Sequence, residues 1–194
     1  TSKEVIELLD HAISAGTQNK IAEVGSLVAN ADLLLRGDAG QFCLADNHQL
    51  VAEMTSRLDQ LDAFVTSFEA TVESSEQVQN PSAELVLKQI INAKDALWEL
   101  RNDRIRTARL VDALAGQGAS KSARSGYFSI QQAFSGLDRL EVRGRDSAGV
   151  HVLVWGHGLN STDKNVKSLL ANRSDDALFM SGAVRLTENA WSFV

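Results

Sequence analysis

The chain has 194 residues, 44 % hydrophobic and 23 % charged, with 19 Lys+Arg against 25 Asp+Glu and a formal charge of -6. These values sit near those of globular domains and exclude disordered, collagen-like and mucin-like chains. A lone cysteine, Cys43, cannot form an internal disulfide and points to a reducing, cytoplasmic compartment. No apolar run approaches the ~20 residues of a membrane span, and no basic-then-apolar signal segment opens the chain.

A single proline, Pro81, predicts long uninterrupted helices. Val5, Ile6, Leu8, Leu9 and Ile13 predict a first helix with Gly16 as its stop. Ile21, Val24, Val28, Ala31 and Leu35 follow a 3-4-3-4 spacing, one face of a second helix, which Gly37 and Gly40 end. Asp46 is the expected N-cap of a long third helix striped by Leu50, Met54, Leu58, Leu61, Val65, Phe68 and Val72. Pro81 starts a fourth helix. Its stripe is Val86, Ile90, Ala93, Leu97 and Leu100, which then drifts through Ile105, Ala108 and Val111. Neighbouring helices with spacings near 3.5 predict an antiparallel helical bundle.

Charge changes sign along the chain. Residues 1–115 carry net -8 and residues 116–194 net +2. The Gly-Gln-Gly-Ala-Ser-Lys-Ser stretch at 116–122 lies at the join, which predicts a helical bundle over 1–122 and a second region over 123–194. Ser125–Leu140 is expected to be helical. The segment from Gly149 to Trp155 is short, apolar and β-branched, and predicts a buried strand. Gly156-His157-Gly158 turns the chain. A short helix over Val166–Ala171 and a strand from Ala190 complete the expected elements.

Most candidate sites fail on residue type or spacing. Lys121-Ser122 follows glycines but lacks the second Gly of a phosphate loop and a preceding strand, so a linker is expected. His11, His48, His151 and His157 have no ligand spacing, so no metal site is expected. Cys43, between Phe42 and Leu44, suits a buried inert thiol. Arg101, Arg104, Arg106 and Arg109 alternate with acids, which predicts a solvated or ion-paired face and no nucleic-acid surface. Thr1 leads into a helix, which does not suit a terminal nucleophile. No cofactor site and no catalytic residue stand out.

Residues 136–149 read Gly-Leu-Asp-Arg-Leu-Glu-Val-Arg-Gly-Arg-Asp-Ser-Ala-Gly. This segment resembles the G-L-x-R-L-E-Y-R-G-Y-D-S-A-G motif of glutamine–fructose-6-phosphate aminotransferases (glucosamine-6-phosphate synthases). From Arg139 to Gly149, 9 of 11 positions agree, Val142 and Arg145 standing where the family has Tyr. The residues themselves suit a helix-to-strand turn. Gly144 and Gly149 permit close backbone approach, Arg143 and Asp146 can form charge-assisted hydrogen bonds, and Ser147 can close the turn.

The resemblance implies a partial α/β segment of the N-terminal-nucleophile (class II glutamine amidotransferase) type, a four-layer sandwich. There a terminal Cys releases ammonia from glutamine for transfer to fructose 6-phosphate. It further implies that Arg143, Gly144, Asp146 and Ser147 support the glutamine site, and that the whole protein is a homodimer. The family's Cys-Gly-Ile, T-R-W-A-T-H-G and H-N-G motifs and its sugar-phosphate half are missing here. The chain is therefore read as a segment of a longer protein, its helical block inserted between an upstream Cys strand and the motif, and inactive by itself. Its partners are then the remainder of its own chain, glutamine and fructose 6-phosphate, with no nucleic acid and no membrane. The alternative is a helical regulatory or oligomerisation module carrying a relict motif.

Overall fold

The computed structural model of the chain describes residues 1–45, 47–74, 81–116, 118–141, 149–160, 162–186 and 190–193. Their contacts group into two units, Thr1–Gln131 and Gln132–Val194. The chain is mainly helical, with one small antiparallel sheet.

The first unit holds α1 (Ser2–Thr17), α2 (Ile21–Leu34), α3 (Gly37–Leu44), α4 (His48–Ser74), α5 (Pro81–Glu99), a π-helical segment (Leu100–Arg106), α6 (Thr107–Ala115) and the first half of α7 (Lys121–Glu141). The stripes read from the sequence form its core. Val24, Val28 and Ala31 of α2, Met54, Leu58 and Val65 of α4, and Ile90, Ala93 and Leu97 of α5 are buried together. Burying each large apolar side chain contributes about 1.5–3 kcal/mol, so this shared interior holds the unit together. Phe68 and Val72 are only partly buried, where the end of α4 leaves the core.

Four helices close a ring in which α1 and α5 each pack on both α2 and α4. Residue pairs give their directions. Asp10 meets Arg57 and Gly16 meets Phe64, so α1 and α4 run the same way. Gly25 meets Ala93 and Asp32 meets Arg104, so α2 and the continuous rod of α5, the π segment and α6 also run the same way. Lys94 pairs with Glu69 and Arg101 with Asp59, so α4 and α5 are antiparallel. The bundle is therefore two antiparallel hairpins side by side, with parallel neighbours between them, rather than antiparallel throughout. The cause is the connection carrying α3, which is long enough to start α4 beside α1.

Two expected helix ends fall elsewhere. Gly16 stays inside α1, where a Cβ would sit 3.3 Å from the Phe64 ring. The helix is ended instead by Asn19 in the left-handed region, at φ 58°. The Asn19 N–H donates to Gly16 O and the Lys20 N–H to Ala15 O, the Schellman pattern. Gly37, at φ 72°, does turn the chain after α2. Gly40, however, lies within α3, a helix of eight residues, too short to show a stripe. The expected cap Asp46 lies outside the described residues, and Asn47 Oδ1 accepts from the Leu50 N–H at 3.1 Å, which caps α4.

The second unit continues from α7 through β1 (Val152–Trp155), α8 (Lys164–Ala171), α9 (Ala177–Met180), β2 (Val184–Leu186) and β3 (Ala190–Phe193). The strands pair antiparallel in the order β1-β3-β2, with Val152 opposite Phe193 and Leu186 opposite Trp191. The expected buried strand is an edge strand instead: Leu153 and Val154 are exposed, and Trp155 is 73 % exposed. A β-branched apolar run suits burial on both faces, but no described residue of this unit is buried. Asp163 and Asp176 cap α8 and α9 through their side chains.

A Cβ at Gly40 would lie 1.9 Å from the Leu35 carbonyl oxygen. Backbone must shift to admit it, so Gly40→Ala should destabilise the chain by about 1–3 kcal/mol, read as a fall in Tm. An unchanged Tm would show that α3 does not approach α2 this closely.

Candidate functional site

The residues singled out by resemblance, Arg143, Gly144, Asp146 and Ser147, lie outside the described residues. Their flanks are described. The backbone of α7 continues to Glu141, and β1 begins at Val152. Gly149 has open space around its Cβ position.

Among the described residues, a buried cluster of charge lies within the bundle. Asp32, one turn after Val28 on α2, has a fully buried side chain. Two guanidinium groups converge on it. Arg36 Nε, from the turn between α2 and α3, donates to Oδ2 at 2.8 Å. Arg104 Nη2, on the π segment, donates to Oδ2 at 3.2 Å, and its Nε lies 2.8 Å from Oδ1. That last approach is a charge contact without an aligned N–H. The Asp32 hydrogen bond and charge raise the pKa of Arg36 above its ordinary value. An arginine already charged at every working pH stays so, so the shift at Arg36 adds no pH dependence there.

The same segment serves α4. Arg101 Nη1 lies 2.8 Å from Asp59 Oδ1, so the expected ion-paired character of this arginine cluster holds for Arg101 and Arg104. On the α1–α4 side, Arg57 Nε donates to Asp10 at 2.7 Å, which raises the Arg57 pKa.

Beside this cluster, α7 is tied down at its start. Ser120 Oγ accepts from the Ala123 N–H and so caps α7. Lys121 stands over the Phe42 ring, Arg124 pairs with Asp112, and Ser125 Oγ donates to Asp38 Oδ2 at 2.8 Å. Phe128 is buried one turn on. A cleft of about 380 Å³ lies between α4 and α6, where His48 and Val51 face Arg109 and Asp112.

The remaining candidates are ordinary. Cys43 is half-buried, 3.1 Å from Ser2 Oγ, rather than fully buried. His151 Nε2 and Ser192 Oγ lie 2.8 Å apart at the exposed sheet surface. His157 Nδ1 accepts from the Leu159 N–H, which assigns its ring proton to Nε2, and its ring meets Trp191 edge-on. No group of three His, Cys, Asp or Glu able to hold a metal occurs among the described residues. No described helix is long and apolar enough to cross a membrane.

Sequence reading passed over Asp32. Its signal was present: a lone acid four residues from Val28 on an otherwise apolar face needs a buried partner. The five-residue step from Leu100 to Ile105 marked where that partner lies.

No family model, curated protein or solved structure matches the chain.

Removing Asp32 strands the mostly buried Arg104 guanidinium, whereas Arg36 is half-exposed and can be hydrated. Asp32→Ala should cost about 3–5 kcal/mol, with Asp32→Leu/Arg104→Met recovering most of it. Urea titration of the three proteins measures this, and a double variant no better than the single one would sink the account.

Proposed function

We propose that the chain is the N-terminal region of a glutamine-dependent aminotransferase that makes glucosamine 6-phosphate from fructose 6-phosphate, with the helical bundle as an added module. The observation that carries this reading is the Arg139–Gly149 motif, with agreement at 9 of 11 positions of mixed chemical type. The motif's setting also supports it. It begins at Arg139 in the last turn of α7 and ends at Gly149, shortly before β1, and its glycines and charges suit a helix-to-strand turn.

In this reading the chemistry comes from outside the chain. An upstream terminal Cys attacks the glutamine amide carbonyl, its own α-amino group taking the thiol proton. Ammonia leaves, and water then releases glutamate from the acyl-enzyme. Arg143 and Asp146 support the glutamine site through charge-assisted hydrogen bonds, and Gly144 and Ser147 shape the turn. The acceptor, fructose 6-phosphate, belongs to a further domain, and the assembled enzyme is a cytoplasmic homodimer.

The alternative reading, a regulatory or oligomerisation module with a relict motif, draws on α5. Ile91 and Trp98 stand one heptad apart on that helix, and both are more than half exposed. Such a stripe suits a partner helix.

Two measurements separate the readings. The full-length gene product should convert glutamine and fructose 6-phosphate to glucosamine 6-phosphate. Arg143→Ala should lower kcat/KM for glutamine about 10- to 100-fold, the loss of one or two hydrogen bonds to a charged group. Absence of glutamine-dependent product from the intact protein defeats the first reading. Sedimentation of the 194-residue chain tests the second, which expects a dimer that Ile91→Lys dissociates, while a monomer at all concentrations opposes it.

A further inference from the structure

The rod from Pro81 to Ala115 changes its helical register once, at Leu100–Arg106. Up to the start of that segment the buried apolar stripe is Ile90, Ala93, Leu97 and Leu100. From near its end the stripe continues as Ile105, Ala108 and Val111. In an α-helix each residue turns about 100°, so a five-residue step overshoots one turn by about 140°. A regular α-helix therefore cannot keep Leu100 and Ile105 on one buried face. The π turn, with its extra residue, can.

Side chains replace ladder partners on either side of the insertion. Asn102 Nδ2 donates to the Trp98 carbonyl at 3.0 Å, and the buried Thr107 hydroxyl donates to the Asn102 carbonyl at 3.4 Å. The arginines of the segment reach acids on different helices, Arg101 to Asp59 of α4 and Arg104 to Asp32 of α2. The π turn thus satisfies the core and both ion pairs, while the α ladder offers more regular backbone bonds.

We propose that Leu100–Arg106 is a register switch with two helical states, π and α, and that the buried Asp32 carboxylate holds it in the π state. Relaxation to α turns α6 by about one residue, roughly 100°. That rotation carries Ile105, Ala108 and Val111 off the core. It also carries Asp112 away from Arg124 and reshapes the α4–α6 cleft, one wall of which includes Ala108, Arg109 and Asp112. Docking of the start of α7 and the shape of the cleft are therefore coupled to one buried carboxylate. Coupling of this kind needs a discrete two-state element, which a one-residue helical insertion supplies.

The test is amide hydrogen exchange of the 194-residue chain and two variants. Asp32→Asn keeps the side-chain shape and removes the charge. Amides of residues 104–112 should exchange at least ~10-fold faster, while those of α1 and the middle of α4 keep their protection. Deleting Asn102 in the Asp32→Asn background makes the Leu100-to-Ile105 step four residues, so the α register and the buried face coincide. Protection of the former 104–112 segment should then return. A merely structural ion pair would not be rescued by removing a residue. Unchanged or uniformly raised exchange in Asp32→Asn overturns the proposal, as does a deletion variant that stays unprotected. Where Asp32→Asn does not fold, recovery of folding by the deletion supports the switch, and failure to recover overturns it.

Discussion

A carboxylate withdrawn from water inside a helical bundle must keep its counter-charge, and Asp32 imposes that demand on the helices around it. Its side chain is fully buried between α2 and the α5 rod. An unpaired charge there would be far costlier than any apolar contact nearby could offset. Arg36, four residues on in the turn between α2 and α3, meets part of the need but is half in solvent. The rest comes from Arg104, seventy-two residues away in sequence. The alignment of α2 with the rod, the π segment and the placement of α6 all satisfy that pairing at once.

Buried ion pairs seldom raise stability over a well-packed apolar substitute, and their better-attested use is to select one register. Here the pair agrees with the apolar pattern instead of competing with it. The same inserted residue that brings Arg104 to Asp32 returns Ile105, Ala108 and Val111 to the buried face. Downstream, that register presents Asp112 to Arg124 and so fixes where α7 starts. Ion pairs on the other helices, such as Arg57 with Asp10, are partly solvated and contribute less.

The second unit obeys a different constraint. Its three strands satisfy one another's backbone through antiparallel pairing, yet its apolar side chains, Leu153, Trp155, Leu169 and Leu178 among them, remain exposed. Pairing on both sides of β3 meets its hydrogen-bond requirement, while β1 and β2 are each paired on one side only among the described residues. The burial requirement of the same residues is not met among the described residues. This is why Val152–Trp155 reads as a buried strand and lies at an edge.

The amino-acid sequence by itself determined which residues of the bundle become core. Helical spacing is local, and a stripe such as Ile21, Val24, Val28, Ala31 and Leu35 has one way to leave water. It also determined that α5 begins at Pro81 and that a glycine turn follows β1. Tertiary structure alone decided that α1 runs alongside α4, because helix direction depends on how the chain crosses between hairpins. It alone decided that Gly16 faces a ring rather than ending a helix, because that role depends on Phe64, forty-eight residues on. The pairing of Asp32 with Arg104 belongs to the same class. A buried charge announces its need within one helix, but its partner is chosen by packing across the bundle.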